Sequence, residues 1–143
     1  MKKVYKILID FLSYVVIVGV IIFGLPKFLA WSLDTPYPLA AITSGSMWPV
    51  LSEGDLVFIK GTTKAELAGG DIVVFRNENS EGFTIHRIVE LHDDVFVTKG
   101  DANFGPDQPV EYARLIGKTW QLFGKNMHLP YLGSITVMAS SVK

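Results

Sequence analysis

A chain of 143 residues has room for one domain and an anchor but not for two full domains. With no cysteine it can form no disulfide, thiolate nucleophile or cysteine-ligated zinc site. Formal charge is −1, and beyond Lys6 no cluster of Lys or Arg could neutralise a run of phosphates, which argues against nucleic acid as a partner.

The charge is uneven along the chain. Lys2, Lys3 and Lys6 against Asp10 give +2 over the first ten residues and leave −3 for the remainder. Residues 11–25 carry no charge, and residues 4–25 reach the length of about 20 that a helix needs to cross a bilayer. Asp10 lies within about two turns of the end, and Lys27 can snorkel. The terminal lysines predict a cytoplasmic N-terminus and an extracytoplasmic remainder, with Trp31 and Tyr37 suited to the far interface. A cleaved secretory signal shares the basic start and apolar middle. The nearest small-residue site, Leu39-Ala40-Ala41, has a large residue three positions before the cut and would leave almost nothing ahead of Ser44. The expected division is therefore residues 1–35 as cytoplasmic tip, transmembrane anchor and linker, and residues 36–143 as an extracytoplasmic β domain with an apolar tail.

Residues 56–59 and 72–75 are short Val/Ile/Phe-rich runs, each entered through a Gly-Asp pair (Gly54-Asp55 and Gly70-Asp71). Between them residues 62–67 predict one helical turn. Residues 83–91 and 95–99 read as a hairpin around His92-Asp93-Asp94, and residues 115–123 as a further strand. No long amphipathic helix follows the anchor. The fold class is accordingly mainly β, as twisted antiparallel sheets or a small barrel-like domain with one N-terminal transmembrane helix. Residues 127–142 are apolar but contain Pro130 and Gly133, and predict an interfacial segment or packed strand, with a truncated second membrane helix as the alternative.

Ser44-Gly45-Ser46-Met47-Trp48-Pro49 places a serine just beyond the anchor. Pro49 drives Trp48 to an extended conformation, and Gly45 permits an unusual turn that would expose both the hydroxyl and the amide of Ser46. Acyl transfer needs such an arrangement. A serine hydroxyl also needs a base, and three histidines compete. His92 has a hairpin tip to occupy, and His128 precedes Leu129-Pro130 in the tail. His86 lies inside Phe83-Thr84-Ile85-His86-Arg87-Ile88-Val89, where alternation sets it on one face with Thr84 and Ile88, and Arg87 on the other. The irregular loop from Lys99 to Asp107 then offers two carboxylates, Asp101 and Asp107, either of which could orient an imidazole.

In order, SGSMxP, GDIVVF, a strand with His-Arg, and KGDxN with an Asp six residues after the first resemble the type I signal peptidases. The likeness is to the archaeal and endoplasmic-reticulum-type branch, in which histidine replaces the lysine base. The resemblance implies Ser46 as nucleophile, His86 as general base and Asp107 as orienting carboxylate. Asp101 is the supporting or alternative third member, and the Ser46 amide and Ser44 hydroxyl are the oxyanion donors. It further implies twisted antiparallel sheets with the site at a membrane surface, no metal or organic cofactor, and signal-peptide-bearing secretory precursors as substrates, cut after small residues. The partners expected are those precursors, the lipid bilayer, and membrane subunits or a translocon. The location expected is a cell membrane, or that of the endoplasmic reticulum in a eukaryote. This chain has Ala102-Asn103 where the family usually carries two asparagines, and it ends soon after Pro130-Tyr131 where many relatives continue.

Residues near Ile42, Val74 and Ile85 are expected to line the substrate pockets, and Met47 and Trp48 to meet the membrane interface. Two rival readings remain. One is a serine/lysine peptidase with Lys60 or Lys99 as base, and the other a membrane-tethered β module that binds a partner and cleaves nothing.

Overall fold

The computed structural model describes residues 2–78 and 82–135. Helix α1 (Lys2–Gly19) passes through a π-helical turn (Val20–Gly24) into α2 (Leu25–Ser32). Pro26 explains the wider turn: it offers no N–H to the preceding turn, and its ring crowds the carbonyl four residues back. Within Lys3–Ser32 the most apolar 18-residue stretch has a mean hydropathy of 2.6, and none of that stretch is buried against the rest of the chain. The apolar helix thus runs past residue 25, where the sequence pattern ended it.

Asp34, in the left-handed region at φ 51°, ends the helix, and the Thr35 N–H reaches back to the Ala30 carbonyl at 3.1 Å in a Schellman pattern. The Leu33 carbonyl then accepts the Gly61 N–H at 2.8 Å, so the helix end is bonded directly to the β domain. A Cβ on Gly61 would collide with the Asp34 backbone, and only glycine allows this approach.

The domain is mainly antiparallel β, curled into a half-barrel. Its strands are β1 (Leu39–Ala41), β2 (Leu56–Lys60), β3 (Ile72–Arg76), β4 (Phe83–Leu91), β5 (Val95–Lys99), β6 (Val110–Glu111) and β7 (Leu115–Thr119). A small hairpin, β8 (Gln121–Leu122) and β9 (Lys125–Asn126), leads to β10 (His128–Leu129). The main sheet runs β1-β2-β7-β3-β4-β5-β6, with β10 also paired to β2.

The two Gly-Asp pairs share one local device. Gly54 and Gly70 take φ of 90° and 94°, and the following Asp55 and Asp71 carboxylates accept the amides of Ser52 at 2.9 Å and Ala68 at 3.0 Å. Each turn therefore delivers its chain into a strand at a set angle. Strand β3 is buried on both faces, which its uninterrupted Ile72-Val73-Val74-Phe75 run requires. Ile72 and Val74 join Ile42, Met47, Leu51, Val57 and Ile59 in one core cluster. Val73 and Phe75 join Ile88, Phe96 and Val110 in the other.

Two expectations change at this level. Met47 is 1% exposed in the first cluster, so it packs in the core and does not face a membrane, whereas Trp48 is exposed. The expected strand over 115–123 breaks after Thr119, because Phe123, at φ 52°, and Gly124, at φ 75°, form a turn that folds β9 back onto β8. In the tail, β10 pairs with β2 and residues 132–135 are helical, while residues 136–142 of that expected segment lie outside the described residues.

Candidate active site

Ser46 occupies the middle of a single 3-10 turn, Gly45–Met47, in the connection from β1 to β2. Met47 anchors that turn in the core, and its carbonyl accepts the amides of Val50 and Leu51 at 3.0 Å each. Trp48 is extended at φ −62° and ψ 142°, as its place before Pro49 dictates, and the Trp48–Pro49 bond is cis. Gly45 has no positive φ, and a Cβ there would meet nothing, so the expected special turn is ordinary 3-10 geometry. The Ser46 amide belongs to the first turn of that helix, whose N–H groups have no partner within it.

His86 projects from the middle of β4, directly across from Val73 of β3, and is 9% exposed. Its Nε2 lies 3.1 Å from Ser46 Oγ, and its Nδ1 lies 2.6 Å from Asp107 Oδ2. With the Nδ1 proton donated to the carboxylate, Nε2 is left as an acceptor aimed at the serine hydroxyl. Ser44 Oγ lies 3.2 Å from Ser46 Oγ, so a second hydroxyl reaches the same point.

Asp101 is placed differently. Arg87, on the opposite face of β4, donates to it from Nε at 2.7 Å and from a terminal guanidinium nitrogen at 2.6 Å, while the other terminal nitrogen donates to the Gly70 carbonyl at 2.8 Å. The bonded Asp101 carboxylate holds the Arg87 guanidinium above its ordinary pKa. Asp101 therefore fastens the loop to β4 and does not contact His86. The same loop grips the serine turn from behind, where the Ala102 N–H donates to the Ser46 carbonyl at 2.8 Å.

The other two histidines lie elsewhere. His92, at the β4–β5 turn, has Nε2 3.1 Å from Glu90, and His128 on β10 lies 3.9 Å from Asp55. Among the described residues no group of three or more His, Asp or Glu side chains is placed to share a metal ion.

Ser46 and His86 open onto a groove of about 700 Å³. One wall is β1 with Ile42 and Thr43, and the other is the start of β4, with Asn103 near the serine. Ile42 and Ile85 line it as expected, but Val74 is wholly buried beneath and does not. No lysine lines the groove among the described residues. Sequence reasoning passed over Thr98, whose hydroxyl donates to Asp107 Oδ2 at 2.7 Å, and Gly100, where a Cβ would stand 2.8 Å from the Ser46 carbonyl oxygen. The nearness of Thr98 to the chosen loop was the one available signal.

A family model described as Peptidase S24-like matches residues 24–119. Among curated proteins, the chain is 32% identical over 111 residues to the signal peptidase complex catalytic subunit SEC11C of Homo sapiens, covering 71% of this chain and 56% of that protein. It is 33% identical over 115 residues to the SEC11 catalytic subunit of Lachancea thermotolerans, covering 74% and 68% of the two chains. For the SEC11 subunit of Tuber melanosporum the identity is 30% over 135 residues, covering 82% and 72%. The chain thus spans little more than half the length of its mammalian relatives.

Proposed function

The chain belongs to the Peptidase S24-like family, and on that premise we propose that it is a signal peptidase of the endoplasmic-reticulum type, a membrane-tethered serine endopeptidase that removes signal peptides through an acyl-enzyme on Ser46. The observation that carries this reading is the continuous chain of contacts from Ser46 Oγ through His86 to Asp107. It supports Ser46 as nucleophile, His86 as general base and Asp107 as the carboxylate that orients the imidazole and stabilises its charged form.

In the first half-reaction, Nε2 of His86 takes the Ser46 proton as Oγ bonds to the scissile carbonyl carbon. The oxyanion is held by the Ser46 amide and the Ser44 hydroxyl, each such donor worth about 3 kcal/mol in the transition state. The C–N bond breaks as His86 passes its proton to the leaving amine. Water, deprotonated by the same imidazole, then releases the signal peptide from Oγ. Small residues before the cut suit a groove walled by Ala40, Ala41 and Ile42.

The helix over Lys3–Ser32 supports a single-pass anchor, its basic end cytoplasmic and the β domain outside. Scissile bonds at the end of an apolar signal helix would then lie near the groove. The relatives are named as subunits of a complex, which supports membrane partner subunits for this chain too. Asp101 acts as a loop clamp, and the absence of Lys60 and Lys99 from the groove lining supports His86 over a lysine as the base.

The test is incubation of a secretory precursor with membranes carrying wild type or Ser46→Ala. Loss of processing by at least a thousandfold is expected in the variant, and equal processing by both would leave only the non-cleaving module.

A further inference from the structure

Asp107 lies in the irregular stretch between β5 and β6, behind Pro106, and its side chain is 27% exposed. A carboxylate so placed has rotamers that point into water, yet its Oδ2 is held 2.6 Å from His86 Nδ1. Two contacts hold it, and both come from one residue. The Asp107 N–H donates to the Thr98 carbonyl at 2.7 Å, and the Thr98 hydroxyl donates to Oδ2 at 2.7 Å. Thr98 has no exposed surface and is paired to Ile88 in the β4–β5 ladder, two residues from His86. Its stiff β-branched side chain, fixed by that ladder, restricts the direction of the hydroxyl.

Resting on the peptidase reading above, we propose that Thr98 is a positioning residue for this reaction: by gripping Asp107 through backbone and hydroxyl together, it keeps the carboxylate on the imidazole. The carboxylate oxygen that bonds His86 is the one Thr98 bonds. Removing the hydroxyl leaves the Asp107 side chain held by the imidazole alone, with freedom to turn toward water. The imidazolium formed in each half-reaction then loses its partner for part of the time. Substrate binding in the groove is untouched, because Thr98 lies beneath the site and does not line it.

The test uses the full chain in detergent, a signal-peptide substrate, and the variants Thr98→Val, Thr98→Ser and Ser46→Ala. Thr98→Val, which keeps the shape, is expected to lower kcat about tenfold or more with KM unchanged, the size set by a hydrogen bond to a charged group. Thr98→Ser should return kcat to within about threefold of wild type by restoring the donor. If Thr98→Val keeps wild-type kcat while Ser46→Ala is inactive, the positioning role is overturned and the peptidase reading stands. If Ser46→Ala is as active as wild type, the peptidase reading fails first. A measurement without substitution guards against misfolding: the buried Thr98 hydroxyl proton should give a slowly exchanging NMR signal in wild type, and a signal averaged with water overturns the bond.

Discussion

At the scale of single residues, Gly100 is where the site is least tolerant. A Cβ there would lie 2.7 Å from Asn103 Nδ2 and 2.8 Å from the Ser46 carbonyl oxygen. The Ala102 N–H bond to that same carbonyl cannot survive unchanged if the loop backs away. Gly100→Ala is expected to cost about 1–3 kcal/mol in stability, the range for overpacking a filled space. It should also lower kcat more than KM, since the serine turn moves relative to His86; thermal unfolding and steady-state kinetics check both. Unchanged kcat in the folded variant would show that the loop does not hold the turn. Much of this site was readable in the chain, because Ser46, His86 and Asp107 each fell inside a segment with its own turn or strand signal. What could not be read was which carboxylate faces which side of β4. Alternation separates His86 from Arg87, but only the fold of the loop assigns Asp107 to one and Asp101 to the other. Thr98 was hidden because a β-branched residue in a strand reads as strand propensity first.

At the scale of elements, long apolar strands were legible and short ones were not. The hairpin over 83–91 and 95–99 matches β4 and β5, and β2 and β3 differ from expectation by one residue at the end. β1, β6 and β8 to β10 have three residues or fewer, too short for alternation to register. β1 and β10 form because β2 has backbone groups to satisfy on both edges, a tertiary demand that no local pattern reports. The 3-10 turn Lys64–Glu66 was expected, and a capping box closes it: the Glu66 carboxylate accepts the Thr63 N–H at 3.0 Å and contacts the hydroxyls of Thr62 and Thr63. These bonds, the backbone one foremost, lower the Glu66 pKa from its ordinary 4.5. A carboxyl depressed on folding adds stability above its unfolded value, and that contribution is lost as pH falls through the folded value. Wild type is therefore expected to melt above Glu66→Gln at pH 7, and the gap to close in acid. Thermal scans at the two pH values check this, and a gap independent of pH would assign the difference to something other than the carboxylate.

At the scale of the whole molecule, helix and β domain divide cleanly. No residue of Lys3–Ser32 is fully buried, and only Gly19, Leu29 and Ala30 are half-buried, while Leu33 and Thr35, just beyond it, are 6% and 4% exposed. A chain beginning at Leu33 should keep the β domain folded, with a melting temperature within about 5 °C of the full chain, since no residue of the two core clusters is removed. It should cleave a soluble peptide at close to the full-chain kcat and process a membrane-inserted precursor at least about tenfold more slowly, because co-localisation on one bilayer is lost. Circular dichroism and parallel assays of both substrates read these outcomes. Equal loss on both substrates would mean that the helix supports the groove itself.

The hydrogen bond from Gly61 to Leu33 has a mechanical consequence. On the proposed reading of this helix as a membrane anchor, its thirty residues would extend about 45 Å against a hydrocarbon layer of about 30 Å, a surplus that leaning would take up. Because the residue that ends the helix is bonded to the β domain, such a lean would be passed to that domain as a rotation. Bilayer thickness would then set the pitch at which the groove meets an incoming chain, and lipid composition would tune the proposed reaction without touching any residue of the site.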